Sequence, residues 1–192
     1  MPQAEHEGEA GRTIDMHDET MVQDEDCEPM GMVRYHGRCM TVAEKTACVE
    51  LEIRHVQRLL DESYALHRTG SPEDVAILFK QTEDFMSRFE LDGTMNKHIE
   101  EKLLLLLGFL YLAADRIAKE MKQELLKQTE IENPITVLEG HKRFHSFSTE
   151  VHVPLMSVLG KRISAYVSRN GEEEFNELMT DNALGSVLRQ LE

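Results

Sequence analysis

The sequence is poor in basic residues. Its 192 residues hold 21 Lys and Arg against 36 Asp and Glu, which gives a formal net charge of -15 at pH 7. Such a balance gives no support to a basic surface that could neutralise duplex phosphates, so we expect no nucleic acid among the partners. The length fits one domain of ordinary size with a tail.

Cysteines and long apolar runs are also scarce. The three cysteines, Cys27, Cys39 and Cys48, are odd in number and too few for a secreted disulfide scaffold, which favours a reducing compartment. The longest apolar run, residues 103–114, has 12 residues, fewer than the about 18 that a membrane span needs. The N-terminus is acidic and does not resemble a signal peptide. We therefore expect a cytoplasmic protein with no membrane contact.

Motifs of common enzyme classes are missing as well. The sequence has no glycine-rich phosphate-binding loop, no Gly-x-Ser-x-Gly and no His-Glu-x-x-His. These absences do not exclude catalysis, but they leave no reaction class indicated, and we expect a protein that acts by binding.

Acidic charge is concentrated at the N-terminus. Residues 1–30 contain ten acidic residues and one base, Arg12, and so carry -9 of the total charge. Segments of this kind bury too little apolar surface to offset the entropy lost on ordering. We expect residues 1–41 to form an acidic, largely disordered tail that aids solubility or meets a basic partner. Within it, β-prone residues on both sides of His36-Gly37 indicate a short hairpin over residues 30–41.

Residues 42–192 have the apolar spacing of successive helices. Ser71-Pro72 is a helix start, and Asp92-Gly93 is a stop. Pro154 predicts a kink near Val153. The predicted helices are residues 42–68, a second from Pro72 towards the stop at Asp92-Gly93, about 95–128, 134–170 and 172–191. Short connections predict an all-α, antiparallel up-down bundle of four main helices plus a short C-terminal helix.

Each predicted helix has an apolar face that we expect to be buried. Residues 103–110 of the third helix are so rich in leucine that we place them between other helices. The predicted faces are Val49, Ile53, Val56, Leu60 and Tyr64 on the first helix, Val75, Leu78, Phe79, Phe85, Met86 and Phe89 on the second, and Leu184, Val187, Leu188 and Leu191 on the last.

Histidines occupy the apolar seam predicted for the fourth helix. That seam contains Leu138, His141, His145, Ser148, His152, Leu155 or Met156, Leu159, Ile163 and Tyr166. His67 continues the buried line of the first helix. In contrast, the pairs Glu52 with His55 and His98 with Glu101 are predicted to face solvent, so we exclude them as ligands.

An antiparallel arrangement would bring some of these groups to one end of the bundle. Two imidazoles four residues apart on one helical face, with carboxylates from a facing helix, form a ligand set for iron or zinc. The candidate metal ligands are His67, Glu120, Glu124, His141 and His145. The alternative is that these histidines are ordinary hydrogen-bonded core residues. A second possible zinc set combines Cys27, His36, Cys39 and Cys48, without the usual paired spacing.

Residues 148–160, Ser-Thr-Glu-Val-His-Val-Pro-Leu-Met-Ser-Val-Leu-Gly, resemble the dimerisation-helix box of sensor histidine kinases. The main departures from that box, Ser-His-Glu-Leu-Arg-Thr-Pro-Leu, are Thr149, which stands where the family has its phosphorylated histidine, and His152, which replaces an arginine. The resemblance covers only these residues, and no nucleotide-binding domain follows. It implies a dimerising helical hairpin over residues 135–191 that cannot take phosphate on histidine.

These observations predict a non-catalytic regulatory or adaptor protein that acts through protein–protein binding. A second copy of the chain is one candidate partner, which would give a homodimer. The alternative is a metal-binding bundle with iron or zinc at its interior His and Glu residues, for sensing, storage or oxygen chemistry.

Overall fold

The computed structural model of the chain describes Cys27 and residues 31–89, 95–128 and 134–181. These residues are mostly helical, which confirms the helical class. The acidic residues 1–26 and the apolar stripe at residues 184–191 lie outside the described part. The elements are β1 (Val33–Tyr35), β2 (Arg38–Met40), α1 (Val42–Thr69), α2 (Pro72–Met86), α3 (Lys97–Gln128), α4 (Pro134–Phe147), a π-helical turn (Ser148–His152), α5 (Val153–Asn170) and α6 (Glu172–Asp181).

The two strands form the predicted hairpin. They pair antiparallel, with Val33 opposite Met40 and Tyr35 opposite Arg38. The two turn residues both have positive φ, 49° at His36 and 73° at Gly37, as a tight two-residue hairpin turn requires.

A disulfide between Cys27 and Cys39, with Cα atoms 5.5 Å apart, ties the chain before β1 to β2. Because these two sulfurs are bonded to each other, the proposed zinc set with His36 and Cys48 is wrong. Disulfides persist in oxidising compartments, so the bond also runs against the reducing compartment expected from the cysteine count.

Local signals set the helix starts. Thr41 caps α1 and Ser71 caps α2, each in a reciprocal capping box with the acid three residues later, Glu44 and Asp74. Pro72 occupies the first turn of α2, where a missing N–H costs nothing. The predicted start of the second helix is therefore confirmed.

The core lies around α3. Leu103 to Leu110 are all buried, as predicted, and they pack among α1, α2 and the α4–α5 segment. The predicted apolar face of the second helix is also buried throughout, including Phe89 just after α2. In the described ranges, no helix is both long and apolar enough to cross a bilayer.

The buried face of α1 differs from the prediction. Glu52 and Ser63 are buried on it, whereas Tyr64 is 53% exposed. His67 is buried there, as predicted. Glu52 is buried because the hairpin covers it, which helical periodicity within α1 could not show.

The predicted break at Pro154 takes the form of a π-helical turn. The N–H of Val153 bonds to the carbonyl of Ser148, five residues earlier. Because Pro154 has no N–H and its ring crowds the preceding turn, the regular hydrogen-bond ladder cannot pass through it. The wider turn lets the helix continue from α4 into α5 without a loop.

Candidate functional site

His67 is buried, as predicted, but both of its ring nitrogens are engaged. Nδ1 lies 2.5 Å from the carbonyl oxygen of Tyr64, and Arg68 Nε donates to Nε2 at 3.2 Å. The ring also packs against Phe109. His67 therefore has the geometry of a hydrogen-bonded core histidine, with no lone pair directed at a metal.

Glu120 and Glu124 line a groove of about 480 Å³ between the end of α3 and α4. Glu120 accepts from Arg116, at 3.0 and 3.2 Å, and Glu124 accepts from Gln128 at 3.3 Å. Arg143 of α4 lies on the same groove. The groove mixes acids with bases, and none of the predicted histidine ligands lines it.

His141 and His145 are exposed, so the prediction that they face the interior is wrong. Half-buried Phe144 precedes His145, and Gly140, before His141, approaches Leu125 so closely that a Cβ would lie 2.7 Å from it. One residue is about 100° of helix rotation. Burying phenylalanine yields more free energy than burying imidazole, so Phe144 takes the core position.

The structure therefore does not bring the five candidate ligands together. Across the part of the chain that the structure describes, no three or more His, Cys, Asp or Glu side chains form a group able to hold a metal ion.

His152, the third histidine of the predicted seam, lies half-buried at the π-helical turn. Its ring stacks on Tyr111, with centroids 5.8 Å apart, and Nε2 lies 3.6 Å from Asp115 Oδ1. That distance is too long for a hydrogen bond, and Nε2 is buried without a partner. Asp115 instead pairs with Lys119 at 2.7 Å.

A second polar cluster joins the hairpin to α1. Tyr35 donates to Glu52 Oε2 at 2.5 Å, and His36 Nε2 lies 2.7 Å from Oε1 of the same carboxyl. Burial, followed by the hydrogen bond and charge of Glu52, raises the pKa of the Tyr35 hydroxyl. The cluster anchors the hairpin, because both polar contacts come from its turn region.

A third cluster connects the start of α3 with the end of α5. Arg169 pairs with Glu100, and Tyr166 donates to Glu101 at 3.1 Å. Burial raises the pKa of Glu100, although the charges of Arg169 and Arg162 act in the opposite direction. Arg162 is itself 6% exposed. Such an inward-facing network fixes how the helices pack.

The outward side of α5 has a different character. A shallow groove with a mainly apolar lining, called the α5 outer face below, lies on this side. It is lined by Met156, Ser157, Gly160, Lys161, Ser164, Ala165, Ser168 and Arg169, of which Arg169 also pairs with Glu100. Met156 is 51% exposed, and a Cβ added to Gly160 would meet nothing within 4 Å. Among the described helices, α5 alone contains no acidic residue, while it has three bases.

No protein-family model, curated protein or solved structure matches this chain.

Sequence patterns missed Glu52, Asp115 and Glu100 as buried or half-buried polar positions. Glu52 and Glu100 are held by residues far away in the chain, Tyr35 and Arg169, and no spacing within one helix could indicate those partners. Asp115 pairs within its own helix, with Lys119. The α5 outer face did carry a signal, since a run without acids stands out in a chain with 36 of them.

Proposed function

We propose that this chain is a non-catalytic regulatory or adaptor protein, and that the α5 outer face binds an acidic amphipathic segment of a partner protein. The observation that carries the proposal is an exposed, mainly apolar helix face without acids in a chain of net charge -15. Exposed apolar faces with a charged rim are typical of protein-binding surfaces.

The charge of the α5 outer face favours an acidic partner. Lys161 is exposed on the face, whereas Arg162 is buried and Arg169 pairs with the buried carboxylate of Glu100. Lys161 is therefore the base that an acidic segment would meet, although Glu83 of α2 lines the adjoining groove. An acidic segment would gain Coulomb energy at this face.

The shape of the α5 outer face favours a helical partner segment. Ser157, Gly160, Ser164 and Ser168 lie at spacings of three or four residues, so their small side chains line one stripe of α5. The distance between packed helix axes falls when the side chains at the contact are small. Met156 at one end offers a flexible apolar contact to the arriving helix.

The scaffold that we propose for this face is the antiparallel up-down bundle. Contacts of Gln57 with Lys102 and of Gly70 with Arg116 support parallel α1 and α3. Contacts of His152 with Asp115 and of Tyr166 with Glu101 support an antiparallel α4–α5 segment. In this arrangement α3 backs α5, which leaves the outer face open.

A synthetic amphipathic peptide, with Leu and Met on one face and Glu on the other, tests the proposal in a fluorescence-anisotropy titration. Lys161→Glu should weaken its binding by about tenfold, since it replaces an attraction with a repulsion of similar size. The matched control is Lys80→Glu on α2, where the lysine is exposed and pairs with Asp84. Equal weakening by both variants would show a general charge effect and contradict the proposal.

Gly160→Glu separates binding from folding. Replacing a glycine inside a helix should raise the free energy of unfolding by roughly 0.5–1 kcal/mol. The same change puts bulk and negative charge onto the α5 outer face. Because steric hindrance and charge repulsion then act together, peptide affinity should fall by roughly tenfold or more. A more stable variant that still binds the peptide at full strength would refute the assignment of this face.

A further inference from the structure

The acidic N-terminal segment is tethered near the α5 outer face. The Cys27–Cys39 disulfide fixes its end to the hairpin, and the His36 ring of that hairpin contacts Phe89, with centroids 4.8 Å apart. Met86 and Ser87, just before Phe89, share a small groove with Glu83 and with Lys161 and Arg162 of α5. These contacts connect the attachment point to the middle of α5, next to Lys161.

We infer that residues 13–26, which lie outside the described part, fold back in cis over the α5 outer face and compete with the partner. The inference rests on the proposed function of that face. It assigns to the acidic segment the role of an internal competitor, so that the partner must displace it.

The composition of this segment matches what the α5 outer face would select. Four apolar residues, Ile14, Met16, Met21 and Val22, alternate with acids. Apolar side chains can contact Met156 and the small-residue stripe, while the carboxylates approach Lys161. The acids of the segment are Asp15, Asp18 and Glu19 between these apolar residues and Asp24, Glu25 and Asp26 after them.

The chain that connects residues 13–26 to Cys27 is long enough for this segment to reach along α5. Val22 precedes the tether at Cys27 by five residues and Ile14 by thirteen, which allows spans of up to about 18 and 45 Å. The 18 residues of α5 extend over about 27 Å. Tethering also gives the segment an effective concentration on the order of millimolar, so that a weak contact suffices to compete.

Photocrosslinking in the full chain locates the segment directly. A photoreactive phenylalanine analogue replaces Ser164, and the control places it at Lys80, which is equally exposed but lies on α2. Mixing isotopically light and heavy chains distinguishes contacts within one chain from contacts between two. We expect crosslinks from position 164 to residues 13–26 of the same chain and none from position 80. Crosslinks only between light and heavy chains, or none to this segment, would overturn the inference.

Neutralisation tests the competition itself. The triple variant Asp15→Asn, Asp18→Asn and Glu19→Gln should bind the acidic probe peptide severalfold more tightly than the wild type. The triple variant Glu5→Gln, Glu7→Gln and Glu9→Gln removes the same charge outside residues 13–26, so it should change binding much less. If both triple variants changed the affinity equally, the cause would be the net charge of the chain, and the inference would be overturned.

Failure of the two proposals can be told apart. If the probe binds wild type through Lys161 and neither triple variant changes its affinity, the face binds partners without an internal competitor. If the probe fails to bind even the neutralised chain, the proposed function fails, whereas the crosslinks from position 164 still report where residues 13–26 lie.

Discussion

Tyr35 and Glu52 share a hydrogen bond of 2.5 Å across the contact between the hairpin and α1. Both residues are buried, at 5% and 8% exposure. A hairpin with strands of three residues has too little core to be stable alone. This contact, together with that of His36 with the same carboxyl, therefore determines whether the hairpin stays on the bundle.

Tyr35→Phe should lower the free energy of unfolding by about 1–3 kcal/mol, because it leaves a buried carboxyl oxygen of Glu52 without its donor. Urea denaturation measures the loss. Tyr64→Phe is the matched control, since that ring is 53% exposed, and it should stay within about 0.5 kcal/mol of wild type. Similar losses in both variants would mean that the hydroxyl of Tyr35 is not the cause.

Loss of the disulfide should destabilise the hairpin. Closing a loop over a separation of 12 residues stabilises a protein by about 3 kcal/mol, and we expect Cys39→Ser to lose about that amount in urea denaturation. Adding a reductant to the wild type should reproduce the loss, while Cys48→Ser, which breaks no disulfide, should not. If the reductant left the free energy of unfolding of the wild type unchanged, the disulfide would not have this stabilising role.

Replacing His152 should stabilise the protein. Its Nε2 is buried without a hydrogen bond, so His152→Leu should gain about 1 kcal/mol by removing a desolvated polar atom. The exposed His145 provides the control, and His145→Leu should stay within about 0.5 kcal/mol of wild type. If thermal and urea denaturation show His152→Leu to be destabilising, the imidazole has a polar partner that holds it in place.

Alkaline pH should destabilise the fold partly through Tyr166. Burial and the nearby Glu101 raise the pKa of its hydroxyl above the ordinary value of 10.0. The unfolded chain then loses the proton first, so the contribution of Tyr166 to stability is complete below pH 10 and falls as pH rises further. The pH dependence of unfolding above that value should be shallower in Tyr166→Phe than in wild type. Identical slopes would show that Tyr166 does not titrate differently in the two states.

The sequence predicted helix type and boundaries best where a local cause acts. Ser71-Pro72 placed the start of α2, Pro154 placed the irregular turn, and the leucines of α3 indicated the centre of the core. Periodicity failed where two faces compete, as at His145 beside Phe144, because a shift of one residue rotates the side chain by about 100°. It also failed at Glu52, since only the folded hairpin shows why a carboxylate is buried there.

Candidate metal ligands were harder to place than helices. Glu120 satisfies its charge with Arg116 four residues away, and His67 bonds to its own helix. Both contacts lie within one helix. Placing the candidate ligands at the same end of the bundle was therefore not enough to direct their side chains at one metal ion.

The π-helical turn at Ser148–His152 constrains the length of the chain independently of residue identity. Its wider hydrogen-bond ring holds one more residue than an ordinary turn. Because the turn already accommodates one extra residue, the insertion of another there would rotate everything after it by about 100°. Leu155 and Tyr166 would then leave the interior together, so we expect substitutions in this turn to be far better tolerated than insertions.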